Sequence, residues 1–115
     1  MKKMVSCVGI GLFVLVTVAS ARGADDNSFD QGKRLYTHKC QLCHGVHGNG
    51  DGPAAAAFNP QPADFAVASF WESYNEKAIS DIIDNGRGRM PAFDLTPEET
   101  QAVIDYMSHT FKPGP

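Results

Sequence analysis

The chain has 115 residues, a formal net charge of −3 at neutral pH and only three cysteines. This length allows one small domain, and the slightly acidic balance argues against a nucleic-acid-binding protein. Such a small domain has little core of its own and needs a further source of folding energy.

The N-terminus has the pattern of a secretory signal peptide. Lys2 and Lys3 precede an apolar run over residues 8–21, which ends in the small-residue sequence Ala-Ser-Ala. We expect a signal peptide over residues 1–21, with cleavage possible up to residue 24, and a single domain over residues 25–115. An uncleaved membrane anchor is the alternative, because the uncharged stretch approaches the roughly 17 residues that span a bilayer.

The first elements of the remaining chain are a helix and a long loop. Ser28 is a candidate N-cap for a helix that leads directly into the cysteine pair, with apolar residues at helical spacing. Residues 45–62 are rich in glycine and proline and predict a loop. Only residues 54–58 could form a turn of helix there.

The second half of the chain predicts two further helices. Residues 73–86 favour a helix capped by Ser73 or Asn75 and ended by Asn-Gly. The last helix begins after Thr96, with proline in its first turn and Glu99 at the capping-box position. Because no strand pattern is present, the sequence predicts an all-α fold of three or four short helices.

The chemistry is concentrated in the sequence Cys40-Gln-Leu-Cys43-His44. On a helix, residues three and four apart lie on one side, so both thiols could add to the vinyl groups of a haem while the imidazole reaches its iron. C-x-x-C-H is the attachment signature of c-type haem. A structural zinc site would need a second ligand pair, and a redox dithiol normally follows a strand in an α/β fold, so we disfavour both alternatives.

The sixth ligand of such an iron has to come from elsewhere in the chain. His47 follows His44 too closely to cross to the other face of the ring. Met90 lies in a glycine-flanked loop, and Met with His is a ligand pair of electron-transfer cytochromes. Met107, His109 and an open sixth position remain as alternatives.

In this order, the sequences CQLCHG, GNGDGP and GRGRMPAF and the capped final helix resemble the class I c-type cytochromes. The resemblance extends from Phe29 to Phe111 and implies the small cytochrome c fold, wrapped around one covalently attached haem c. Cys40 and Cys43 would then be the attachment residues.

The resemblance also implies roles for residues outside these motifs. In the family, a glycine meets an aromatic residue where the first and last helices cross, and Gly32 and Tyr106 occupy the matching positions, with Tyr36 nearby. A proline carbonyl in the loop after the haem motif accepts a hydrogen bond from the proximal histidine, and Pro53 is our candidate. Apart from the resemblance, the polar groups of Trp71 or Tyr74 could bond a haem propionate, or these residues could simply pack at the haem edge.

Taken together, His44 and Met90 would fill both axial positions of the iron and leave none for a substrate. We therefore expect a monomeric periplasmic carrier, not an enzyme, that exchanges one electron with redox-partner proteins through the haem edge and has no stable membrane association. Arg87 and Arg89 could form a positive rim for an acidic partner, or be ordinary loop arginines. The alternatives are a haem c subunit of a larger oxidoreductase, and a haem enzyme or ligand sensor in which Met90 is displaced.

Overall fold

The computed structural model describes residue 9 and residues 22–115. The predicted signal peptide, apart from residue 9, lies outside the described residues. None of the helices in the described range has the length and apolar character that crossing a membrane requires.

The described chain is helical. It contains α1 (Arg22–Lys39), α2 (Gln41–His44), one turn of 3-10 helix (Ala55–Ala57), α3 (Ala68–Ser73), α4 (Glu76–Asn85) and α5 (Pro97–Phe111). Between residues 22 and 115 there is no β-strand, and an isolated bridge joins Arg87 to Met90. The all-α prediction is confirmed, with five α-helices instead of three or four.

Helix α1 is longer than its sequence pattern suggested. It begins at Arg22, so Ser28 lies inside the helix and does not cap it. The residues before Ser28 include no proline. Gly23 costs a helix about 1 kcal/mol, and Asp and Asn cost less, so no single residue in this stretch forces a later start.

The predicted helix over residues 73–86 is α4, and the short helix α3 immediately before it has no counterpart among the predicted helices. Tyr74 is extended, with φ −126° and ψ 116°, and separates α3 from α4. Asn75 caps α4 by accepting a hydrogen bond from the Ala78 N–H at 2.9 Å, which resolves the choice between the two predicted caps. Ser73 is instead the last residue of α3.

Helix α5 begins as predicted. The Glu99 N–H donates to Thr96 Oγ1 at 3.2 Å, and the Thr96 N–H donates to Glu99 Oε2 at 2.9 Å. This reciprocal pair satisfies two backbone donors that a helix N-terminus otherwise leaves free.

Helices α1 and α5 pack directly on each other at Gly32. A Cβ atom there would overlap the backbone carbonyl of Ala102 and lie 2.9 Å from Tyr106 Cβ. The expected pairing of glycine and aromatic residue at the helix crossing is confirmed.

The buried core joins these two helices to α4 and to the loop between α2 and α3. Its members are large apolar and aromatic residues: Tyr36, Phe65, Ile79, Ile83, Val103, Ile104, Tyr106, Met107 and Phe111. Cys40, Trp71 and Met90 are partly buried against it. The two sequence regions that carry the candidate ligands therefore contact one core.

Candidate functional site

The two cysteines and His44 are arranged on one helical turn. Cys40 follows α1 directly, and its N–H donates to the Tyr36 carbonyl at 2.9 Å. The N–H groups of Cys43 and His44 both donate to the Cys40 carbonyl, at 3.2 and 2.9 Å. This turn brings together Cys40, the N-cap of α2, and Cys43 and His44 at the end of α2, as their spacing predicts.

Both cysteines are free and partly buried. Burial raises the pKa of the Cys40 thiol to about 11. Catalytic dithiols have a lowered thiol pKa, because the thiolate is the nucleophile. The environment of Cys40 therefore does not favour a redox dithiol.

A protein-held metal ion also finds no support in the described residues. Between residues 22 and 115, no group of three or more His, Cys, Asp and Glu side chains could hold a metal ion. A structural zinc site needs four protein ligands.

The imidazole of His44 is buried and held in one orientation. Its Nδ1 lies 3.1 Å from the Ala63 carbonyl oxygen. Because a carbonyl only accepts, Nδ1 carries the proton and Nε2 keeps its lone pair. The Phe65 ring stacks on the imidazole with a centroid distance of 4.5 Å and an interplanar angle of 21°.

Burial lowers the pKa of His44, and the hydrogen bond to Ala63 opposes this effect more weakly. The neutral imidazole is therefore favoured in the folded chain. A neutral imidazole with one nitrogen bonded to the backbone is the usual form of a histidine ligand, and the bonded nitrogen fixes which atom faces the metal.

The hydrogen-bond acceptor for His44 corrects our prediction for Pro53. Pro53 is exposed, and the acceptor is Ala63, ten residues further along the chain. The glycines around Pro53 bring the loop back against α2, where the Gly52 N–H donates to the Cys43 carbonyl at 3.0 Å. The loop then returns to His44 at Ala63, whose carbonyl meets the imidazole ring.

The loop that passes His44 is itself anchored. The Phe65 N–H donates to the Gly48 carbonyl at 2.6 Å, and the Phe65 carbonyl accepts from Trp71 Nε1 at 2.7 Å. Trp71 thus bonds the loop in this structure, which favours a packing role over the propionate role that we also considered. Ala63 carries no sequence feature that marks it as the acceptor, although Pro62 immediately before it lies in the same loop as Pro53.

Met90 lies in a separate, compact loop. The N–H groups of Arg87 and Met90 each donate to the other residue's carbonyl, at 3.0 and 2.9 Å. Gly88 turns the chain between them with φ +57°, and the Phe93 N–H donates to the Ile83 carbonyl at 2.9 Å. Helix α4 therefore anchors the loop, and Met90 is partly buried against the same core as Cys40.

The competing ligands have other surroundings. Met107 is buried within the core cluster of α5. His109 is exposed, and its ring makes an edge contact with Phe29 at a centroid distance of 5.2 Å. His47 is exposed on the loop after α2. These positions favour Met90 as the candidate sixth ligand.

The donor set fits a covalently attached haem. Two free thiols lie beside an oriented, neutral imidazole on one turn, and a thioether in a second loop packs against the same core. Soft sulfur and imidazole donors are those that haem iron takes in cytochromes. The aromatic and aliphatic side chains of the core supply the apolar surroundings.

The chain is similar to known c-type cytochromes. Residues 27–107 match the family model described as "Cytochrome C oxidase, cbb3-type, subunit III". A solved structure described as "KustC0563 c-type cytochrome" is 31% identical, with a TM-score of 0.60, and the alignment covers 71% of this chain and 98% of that one. No curated protein matches.

Proposed function

Because the chain belongs to the class I c-type cytochromes, we propose that it is a periplasmic single-haem electron carrier in which Cys40 and Cys43 attach one haem c and His44 and Met90 ligate its iron. The observation that carries the proposal is the pair of free thiols directly before an imidazole whose Nδ1 bonds the Ala63 carbonyl.

The haem iron supplies the redox chemistry, since it holds or releases one electron by changing between its ferric and ferrous forms. The chain's own residues do the rest. When a haem is bound, the thiols of Cys40 and Cys43 would tether its ring, and Nε2 of His44, oriented by the Nδ1 bond to Ala63, would ligate its iron. The Met90 thioether would be the second protein ligand of the iron and would leave no position for a substrate, so we propose no enzymatic activity.

Soluble carriers meet their partners transiently, and charged side chains near the contact set the rate of encounter. Arg87 and Arg89 lie just before Met90 in the same loop and are exposed. Each guanidinium lies 5.4 Å from the centroid of an aromatic ring, Tyr74 for Arg87 and Phe58 for Arg89. We propose that this arginine pair meets an acidic redox partner.

A second function is a haem c subunit of a larger oxidoreductase, which the description of the matching family favours. A stable complex that survives purification from the native membrane or periplasm would support the subunit. A chain that elutes alone as a monomer at its native concentration would support the free carrier.

The first test is whether the haem is covalent and Met-ligated. We expect haem staining to follow the protein on a denaturing gel, and the ferric protein to show the far-red charge-transfer band of Met-ligated haem. Met90→Ala should abolish this band, whereas Met107→Leu and His109→Gln should retain it.

Two results would contradict the proposal. A denaturing gel without covalent haem would exclude attachment through the cysteines. Ready binding of carbon monoxide to the untreated ferrous protein would indicate an open or displaceable sixth position, as in a haem enzyme or ligand sensor.

A further inference from the structure

The hydroxyl of Tyr36 makes a buried hydrogen bond that links α1 to the turn after His44. Tyr36 Oη donates to the Gly45 carbonyl at 2.8 Å, and the Tyr36 side chain is fully buried. Its ring packs between those of Tyr106 and Phe111, at centroid distances of 5.5 and 5.1 Å. A phenylalanine would supply the same ring contacts, so the hydroxyl adds only the hydrogen bond.

The carbonyl that Tyr36 bonds belongs to Gly45, the residue directly after His44. Gly45 has φ +87°, a left-handed conformation that disfavours residues with a side chain. Its carbonyl also accepts from the Gly48 N–H at 3.2 Å, and the His44 carbonyl accepts from the Gly50 N–H at 2.8 Å. Of these three hydrogen bonds, the one from the Tyr36 hydroxyl is made by a side chain, and that side chain belongs to α1.

His44 is therefore held from two directions. Ala63 and Phe65 fix the imidazole ring, and the peptide bonds that follow His44 are fixed by the turn that Tyr36 ties to α1. Since a ring is oriented relative to its own backbone, the direction of Nε2 depends on both supports.

We propose that Tyr36 is a positioning residue for the histidine ligand: its hydroxyl holds the Gly45 carbonyl, and with it the backbone of His44, in the orientation that haem ligation requires. This inference rests on the proposed function, in which His44 ligates the iron. Tyr36 on α1 would act on the histidine ligand through the turn after His44 and not by contact with the haem.

The test compares Tyr36→Phe with Tyr106→Phe in the haem-loaded protein. Both variants remove one hydroxyl from the same aromatic cluster. In Tyr36→Phe we expect hydrogen exchange of the Gly48 and Gly50 amides to quicken roughly three- to tenfold, because the net contribution of a hydrogen bond is about 0.5–1.5 kcal/mol. Tyr106→Phe should leave these rates unchanged.

A second measurement reports on the ligand itself. The ferric electron paramagnetic resonance g-values depend on the orientation of the axial imidazole, and we expect them to change in Tyr36→Phe and not in Tyr106→Phe. Equal effects of the two variants, or faster exchange spread evenly over α1 and α5, would overturn the proposal and leave only a general loss of packing.

A wild-type measurement covers the case in which Tyr36→Phe does not fold. In the isotope-labelled wild-type protein we expect a slowly exchanging Tyr36 hydroxyl proton coupled to the Gly45 carbonyl carbon, and its absence would overturn the proposal. A failure of the proposed function itself would be detected separately, as the absence of haem staining or of the far-red band in the wild-type protein.

Discussion

At the residue scale, the orientation of His44 depends on residues that lie well downstream of it in the chain. Its Nδ1 bonds the Ala63 carbonyl, its ring stacks on Phe65, and Trp71 anchors Phe65 through the indole N–H. Second partners of this kind set the direction and basicity of a histidine ligand. Ala63, Phe65 and Trp71 all lie outside the motif that runs from Cys40 to His44.

Trp71→Phe tests the anchor. It keeps an aromatic ring and removes the N–H that donates to the Phe65 carbonyl. We expect a loss of about 1 kcal/mol in the free energy of unfolding, measured by denaturant titration of the haem-loaded protein.

The exposed neighbour Glu72 provides the control, and Glu72→Gln should change stability by less than about 0.5 kcal/mol. If Trp71→Phe left stability unchanged but shifted the reduction potential, the indole would instead serve the cofactor, as in the propionate role.

At the element scale, the contact between α1 and α5 requires a residue without a side chain. A Cβ atom at Gly32 would overlap the Ala102 carbonyl, which belongs to the backbone of α5 and cannot rotate away. The glycine costs α1 about 1 kcal/mol of helix propensity relative to alanine. The close approach of the two helices offsets that cost.

Gly32→Ala therefore sets two effects against each other. The substitution should gain about 1 kcal/mol of helix propensity but lose more by forcing the helices apart, since overpacking typically costs 1–3 kcal/mol and here the obstacle is backbone. We expect a net decrease in the melting temperature of the haem-loaded protein, measured by circular dichroism.

Lys33→Ala, at the next position of the same helix and exposed, should have almost no effect. A Gly32→Ala variant as stable as the wild type would mean that α1 and α5 can separate without cost.

At the scale of the whole molecule, local charge differs from net charge. The chain carries a net charge of −3, yet Arg87 and Arg89 lie together on the Met90 loop. Arg87 also donates a hydrogen bond to the Tyr74 hydroxyl at 2.8 Å, so its guanidinium is held at a defined place. A positive region of this kind on an acidic protein would orient the approach of an acidic partner.

Reversal of both charges tests this docking surface. Arg87→Glu with Arg89→Glu should slow electron transfer from an acidic partner roughly tenfold at low ionic strength, and the difference should shrink as salt is added. Stopped-flow absorbance of the haem measures the rate.

Lys33→Glu with Arg34→Glu makes the same change in net charge on α1 and is the matched control. Equal rates for the two double variants would show that net charge alone, and not the arginine pair, governs encounter.

The features that could be predicted from the sequence are those that depend on neighbouring residues. The order Cys40, Cys43, His44 specifies three donors on one turn, and the Thr96 capping box specifies the start of α5, because both follow from local backbone geometry. The helix contact at Gly32 could be predicted only through the resemblance of the chain to the class I c-type cytochromes.

Tertiary structure alone decided which carbonyl meets His44, since Pro53 and Ala63 lie in the same irregular loop and only its path selects between them. It likewise decided that the Tyr36 hydroxyl bonds the Gly45 carbonyl, nine residues further along the chain, because a contact between α1 and the turn after α2 depends on packing and leaves no periodic signal in the sequence.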